Sequence, residues 1–413
     1  MLAKVRATRG KYPAQFWLLV FGLFISTVGT SMIWPFMTIY ISERLDLPLT
    51  EVGGIITVNG FVALGASFAA GPLSDRFGRK WIMVFSLIGN GLAYLLLSQA
   101  DTLLSITVLM SMRGLFQPMY SVATNAMVSD LIPQEKRADA FALLRTGNNA
   151  GFAFGPAIGG FVVVHSYTTS FLTAAVALVC YGLLIAFRAS ETLPAEEISE
   201  VQTQNQRKGY RHMLRDKQFL SFLFAFILFR ICTAMLWILL AVYAKQNFQV
   251  LENQYGLIQM TNALMVVFLQ VGVTSITKRY LPLPVLALGT LVYALGVGSI
   301  ALGSGFWGFW LSLVVITTGE LMIMPTSNTF VAELAPIDMR GRYMAAFSLA
   351  PGVGRSFAPM IGGVLNDQIH PRAIWLGGGI IGLASASCYW IMSKRYSPKK
   401  AAVSRVEDLP PRM

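Results

Sequence analysis

The sequence predicts an all-α membrane protein with twelve transmembrane helices in two pseudo-symmetric six-helix bundles, and three observations carry that prediction. Of the 413 residues 55% are hydrophobic and only 13% charged, and apolar segments of the ~20 residues that a bilayer crossing requires recur along nearly the whole chain. Of the 32 Lys and Arg, 25 fall in one set of alternate loops and the two termini. This asymmetry is the positive-inside pattern, which places both termini in the cytoplasm of a multi-pass cell-membrane protein with an even number of spans. Finally, the second half of the chain can be laid over the first at a fixed offset of 203 residues with no gap.

At that offset Phe16 falls on Phe219, Trp34 on Trp237, Tyr40 on Tyr243, Asn59 on Asn262 and Arg76 on Arg279. Further along, Pro156-x-x-Gly159-Gly160 falls on Pro359-x-x-Gly362-Gly363. A parallel repeat of a six-helix unit divides the chain into residues 1–188, a polar linker 189–218 and residues 219–413 with a short basic tail. The net charge of +12 would suit a nucleic-acid partner, but the placement of the charges makes it a topology signal, so no nucleic acid is expected.

In chain order, Lys4, Arg6, Arg9 and Lys11 precede an apolar run from Phe16 to Tyr40. That run is longer than the core of a secretory signal and has no clear small-residue cleavage site, which predicts a retained first span. Pro35 falls inside it, where a helix tends to kink. Its neighbour Trp34 suits either a cavity wall or helix packing, and so does the matching Trp237. Spans 2 and 3, Val52–Pro72 and Trp81–Ser98, flank Gly71-Pro72-Leu73-Ser74-Asp75-Arg76-Phe77-Gly78-Arg79-Lys80. A charged stretch this short between two spans predicts a tight hairpin at the membrane surface, with Gly71 and Gly78 free to take backbone angles closed to other residues. Asp75 could face a helix N-terminus, and the cations after it could bind carboxylates or lipid phosphate.

Span 4, Leu103–Met127, holds Arg113 near its middle and Gln117 one turn on. A charge at that depth is costly and faces protein or a water-filled cavity, so Arg113 is either functional or a tie to backbone carbonyls. Span 5 carries Gly147, Gly151, Gly155 and Gly159, one every fourth residue, with Pro156 and Gly160 beside them. These glycines form one bare stripe along which another helix can approach closely. Span 6 covers Phe171–Phe187, and six further spans begin near Phe219, Tyr255, Pro284, Phe306, Arg342 and Ala373.

The hairpin pattern Gly-x-Leu-x-Asp-Arg-x-Gly-Arg-Lys between spans 2 and 3 resembles the signature of the major facilitator superfamily. The span-5 glycines followed by Gly-Pro-x-x-Gly-Gly resemble the motif of its twelve-helix drug:proton antiporters. The resemblance implies a cytoplasmic gate in which Gly71, Asp75, Arg76, Gly78 and Arg79 take part. Asp75 would face the N-terminus of span 11 near Arg340, and Arg79 would pair with Asp130. It also implies that the span-5 motif lies between the two halves and that spans 1, 4, 7 and 10 line the central path. One departure stands out, since Arg113 is followed by Phe116 and Gln117 where the family's pattern has glutamine and glycine.

Among the 20 acidic residues, Glu320 alone falls mid-span. Thirteen helical residues separate it from Glu333, which places it ~20 Å deep. Loss of hydration there favours the neutral acid and any nearby arginine favours the carboxylate, a balance that suits a proton carrier. Glu320 is therefore either the proton-coupling residue or half of a static ion pair with an arginine. Arg113, Gln117, Arg230, Trp34 and Trp237 are candidates for the substrate cavity, while Arg145 and Arg355 are candidates for bracing the interface. Four deep arginines against one deep glutamate leave the interior formally positive by three, which suits an anionic or zwitterionic amphiphile.

Enzymatic chemistry finds no support: His165, His212 and His370 are scattered, no phosphate-binding Gly-x-x-x-x-Gly-Lys-Ser/Thr loop occurs, and the three cysteines have no metal-ligand spacing. No cofactor or metal is expected. The expectation is a proton-coupled secondary transporter, a monomer in membrane lipid, exporting small amphiphilic compounds in multidrug fashion by alternating access. The alternative is an importer or facilitator of an anionic metabolite, or a lipid flippase, on the same fold.

Overall fold

The computed structural model describes residues 11–193, 213, 215–336 and 339–396. The N-terminal cations Lys4, Arg6 and Arg9, most of the predicted linker and the tail beyond residue 396 lie outside the described residues. Twelve helices follow one another: α1 (Ala14–Leu45), α2 (Leu49–Phe77), α3 (Arg79–Leu97), α4 (Leu103–Leu131), α5 (Arg137–His165), α6 (Tyr167–Arg188), α7 (Lys217–Phe248), α8 (Glu252–Thr277), α9 (Pro282–Ser299), α10 (Gly305–Leu334), α11 (Arg340–Gln368) and α12 (Ala373–Arg395). Nine of them are long and apolar enough to cross a bilayer on length and composition alone. The other three, α4, α5 and α11, include the helices of Arg113 and of the span-5 glycines.

Local chemistry sets the ends of these helices. Thr102 and Ser105 form a reciprocal capping box at the start of α4, Ser166 caps α6, and the Asp216 carboxylate accepts from the Phe219 amide to start α7. These contacts satisfy amides that a helix end leaves open. Pro35 breaks α1 as expected, through a single 3-10 turn at Trp34–Phe36.

The duplication is visible in which helices touch. In the first half α1 packs on α5 and α6, α2 on α4, and α3 on α4 and α6. The second half repeats this with α7 on α11 and α12, α8 on α10, and α9 on α10 and α12. The halves meet along α2 against α11 and α5 against α8, two contacts that the pseudo-twofold exchanges. Added Cβ atoms on Gly53 and Gly256 would collide with the carbonyls of Pro359 and Pro156, and on Gly160 and Gly363 with those of Glu252 and Leu49. Each member of these pairs maps to the other at the 203-residue offset. Backbones approach this closely only where no side chain intervenes.

The span-5 stripe has a different partner from the one the resemblance implies. Gly147, Gly151, Gly155 and Gly159 face Val20, Thr27, Ser31 and Met32 of α1, inside the first half. The neighbouring face of α5, with Pro156 and Gly160, makes the contact with α8 in the other half. The physical reason is periodicity: residues four apart share one helix face, and that face is already filled by α1. Replacement of Gly159 by leucine should drive its side chain into the Met32 backbone and cost about 3 kcal/mol or more. Loss of the monodisperse peak on size-exclusion chromatography would show it. Gly71→Ala, where a Cβ meets nothing within 4 Å, should leave that peak unchanged.

Candidate functional site

α4 and α10 pack tightly on their own neighbours and only slightly on α1 and α7, and the mid-helix charges gather around the space this leaves. Glu320 of α10 is half-buried and accepts a 2.9 Å hydrogen bond from the Asn262 amide of α8. The same amide nitrogen donates to Thr317 Oγ1 at 2.9 Å. Arg230 of α7 lies within electrostatic reach of Glu320 and Tyr293, and Arg355 of α11 within reach of Arg230. Neither arginine forms a direct ion pair with Glu320 among the described residues. Arg230 Nε is buried without a hydrogen-bond partner among them, while Arg355, exposed at mid-helix, sits among neighbouring helices that strip much of its hydration. The site is thus a titratable carboxyl held by a neutral amide, with two cations at a distance and space between. The static ion pair that the sequence left open is not what the structure contains.

Arg113 does not line this space, contrary to expectation. It is 5% exposed, donates to the Tyr94 hydroxyl and to Met110 Sδ, and lies 4.1 Å and 5.3 Å from the ring centroids of Tyr94 and Trp34. Two aromatic faces and a phenol oxygen compensate the lost hydration, so Arg113 acts as a strut joining α4 to α3 and α1. Trp34 shares in that strut and is only partly exposed, as is its repeat partner Trp237. Gln117 is exposed one turn from Arg113. Arg145 is exposed and forms no ion pair among the described residues, so it braces nothing there. Arg355 belongs with the Glu320 group rather than with a bracing contact.

The charged hairpin is shorter than the sequence suggested. α2 runs through Gly71 and Pro72 to Phe77, and the whole reversal is made at Gly78, whose φ is 90°. Only a residue without a Cβ takes that angle without strain, whereas Gly71 has ordinary helical geometry. Arg79 is the hub: its guanidinium reaches Asp75 Oδ1 at 2.7 Å and Asp130 Oδ2 at 3.1 Å and donates to the Ser74 carbonyl. The Asp130 pairing is as expected. Asp75 is 67% exposed on its side chain and does not meet Arg340, which is exposed at the start of α11. Arg76 is exposed and rests over the Phe77 ring.

Sequence reasoning missed Glu191, which it assigned to the linker. The Glu191 carboxylate accepts from the backbone amides of Arg79 and Lys80 at 3.0 and 3.1 Å, which places an anion on the N-terminus of α3. Thr192 donates to Asp130, and Ser190 exchanges hydrogen bonds with Gln15. The first linker residues are therefore fastened to the hairpin. A lone acid just beyond a span end was the available signal, and it has no distinctive spacing.

On the opposite face the halves are clasped. Lys245 of α7 reaches Glu43 of α1 and Glu252 of α8 at 2.6 Å each, and Tyr167 donates to Glu252 at 2.9 Å. Gln246 donates to Ser42, Thr38 to the Ile238 carbonyl, and the Thr50 amide to Asp367. With Glu252 only 4% exposed, removal of the ammonium leaves a buried carboxylate unpaired, which costs roughly 3 kcal/mol. Lys245→Gln should weaken this face, and a cysteine placed at Thr38 should react several-fold faster with an impermeant maleimide than in the otherwise unchanged protein. Asp75→Asn should lower turnover several-fold while leaving the melting temperature within error, since the group is exposed and its pair with Arg79 contributes about 1 kcal/mol or less.

Comparison with known proteins agrees with this architecture. The Major Facilitator Superfamily model matches residues 19–347 and 222–411. A Na(+), Li(+), K(+)/H(+) antiporter of Planococcus maritimus is 30% identical over 388 residues, covering 87% of this chain and 89% of that protein. The multidrug resistance protein MdtH of Escherichia coli O157:H7 is 23% identical over 403 residues, covering 96% and 98%. A solved transporter of the POT family, in complex with 5-aminolevulinic acid, superposes with a TM-score of 0.79 at 15% identity, over 93% of this chain and 97% of that one. The repeated bundles, the Arg79 hairpin and the family match agree: this chain belongs to the Major Facilitator Superfamily and is a membrane transporter, not an enzyme.

Proposed function

We propose that this chain is a proton-coupled antiporter of the cell membrane, with both termini cytoplasmic, that exports small amphiphilic organic compounds by alternating access. The observation that carries the reading is Glu320, a mid-helix carboxyl whose direct side-chain partner is the neutral Asn262 amide. A carboxylate in a poorly hydrated space is stabilised by water or a cation, and protonation removes that need. Glu320 can therefore take a proton when the space faces one side and release it when hydration and the Arg230 field return on the other. A substrate with an anionic or zwitterionic head would share Arg230 and Arg355, and its departure would restore their attraction for the carboxylate. This couples the two cargoes through one charge.

The clasp on the face opposite the hairpin supports a state open toward the hairpin face. In the other state, Lys245 releases Glu43 and the exposed Asp75 meets the N-terminus of α11 beside Arg340. Protons, substrate and membrane lipid suffice as partners for a monomer that works this way.

A second reading, exchange of monovalent cations for protons, draws on the hydroxyl of Thr317 and the amide of Asn262 beside Glu320 and on the name of the Planococcus relative. Two neighbouring arginines weigh against it. Vesicles containing the purified protein, with an imposed pH gradient, separate the readings. Proton-driven accumulation of an amphiphilic dye is the expected result, abolished in Glu320→Gln, whereas dye exchange at zero gradient persists. Sodium, lithium or potassium flux without dye flux would establish the second reading. Dye transport that keeps its pH dependence in Glu320→Gln would remove both, and movement of an anionic compound along with protons would mark an importer.

A further inference from the structure

Three cations break the charge asymmetry of the loops: Arg44, Lys245 and Arg372. Arg44 donates to the Ala100 carbonyl, and Lys245 is held by two carboxylates. Arg372 is exposed and makes no ion pair among the described residues. It lines a cavity of about 340 Å³ together with His370, Pro371, Tyr243, Asn247 and Phe248, on the face opposite the hairpin.

The floor of this cavity has a donor to spare. Tyr243 lines the cavity at 1% exposure, and its hydroxyl proton finds no acceptor among the described residues, because its near neighbours, the Trp375 indole N–H and the Arg372 guanidinium, can only donate to the hydroxyl oxygen. The Tyr243 and Trp375 rings pack edge to face at 5.1 Å, and Arg372 lies within electrostatic reach of the same hydroxyl. His370 Nδ1 accepts from the Arg372 amide at 3.1 Å, which places the ring proton of the neutral imidazole on Nε2, away from that contact. α12 begins at Ala373, so its positive end also faces the cavity. The nearest acid in the chain, Asp367, is engaged by the Thr50 amide and by Asn366. A buried donor without an acceptor is costly, and a guanidinium, a phenol proton and a helix N-terminus converging on one space call for an anion.

We propose that this cavity is a binding site for a phosphate group, with Arg372 as its principal ligand and Tyr243 and His370 as further donors. The planar fork of arginine matches phosphate oxygens, and the site's place at the membrane surface admits either a lipid headgroup or a free phosphate. It is separate from the Glu320 space, and it does not depend on what the protein carries.

The full-length protein in detergent tests this in two arms. The first measures the unfolding midpoint with inorganic phosphate against chloride at matched ionic strength. The second counts bound phosphatidylglycerol against diacylglycerol by native mass spectrometry. The expected result is binding in at least one arm that weakens about tenfold in Arg372→Gln, as loss of a charge-assisted pair implies, and less in Tyr243→Phe. The arm that responds names the source of the phosphate. Because Arg372 is exposed, its replacement should fold normally. No preference for phosphate in either arm, or equal binding by the wild type and Arg372→Gln, would overturn the proposal.

Discussion

A charge in the hydrocarbon core must replace its lost water, and the mid-helix groups of this chain meet that requirement to different degrees that together define the molecule. Arg113 takes two aromatic faces and a phenol oxygen; only its Nε lacks a partner among the described residues, and the group becomes part of the frame. Arg355 is exposed but lies among helices that remove much of its hydration, with no ion pair among the described residues to replace it. Glu320 has an amide, which a carboxylate and a carboxylic acid can both accept as a donor. Of these arrangements only that of Glu320 leaves the protonation state free to change without breaking the fold.

The repeat explains how that arrangement arises. At the offset of 203 residues, Asn59 matches Asn262 and Gln117 matches Glu320. In the first half Asn59 donates to the Met110 carbonyl of α4, and in the second Asn262 donates to the Glu320 side chain of α10. The same α2–α4 and α8–α10 contact is a structural tie in one copy and, under the proposed function, a site for a proton in the other. Two differences stand out between the copies: Glu320 in place of Gln117, and Thr317, whose hydroxyl shares the Asn262 amide, in place of Gly114.

Much of this was legible in the sequence. Periodic apolar spans, loop charge asymmetry and the gapless overlay fixed twelve helices and two bundles, because bilayer thickness and hydration act on composition directly. Glu320 was legible for the same reason, since it is the one acid at depth. What stayed hidden needed knowledge of side-chain direction. The span-5 stripe could not say which helix fills it, and Arg113 could not be separated from Arg230 by depth alone. The Asn59–Asn262 match marked the partner of Glu320, but a pair of asparagines does not reveal the direction of its hydrogen bonds. Glu191 and Lys245 act across long separations in sequence, and no local pattern records that.

The glycine contacts that join the halves have a mechanical consequence. On α2 they fall at Gly53 and Gly60, toward the face of the Lys245 clasp, while the helix continues to Phe77. The part beyond Gly60, seventeen residues, meets the other half through side chains such as Phe61 and Leu64, and it forms an arm ~25 Å long pivoting on a short bare-backbone fulcrum. A tilt of about 10° there would sweep its tip through roughly 4 Å, geometry that follows from the helical rise. Small sliding at these glycines would thus be magnified at the far end of the bundle, with the closest contacts at the pivot made by backbone.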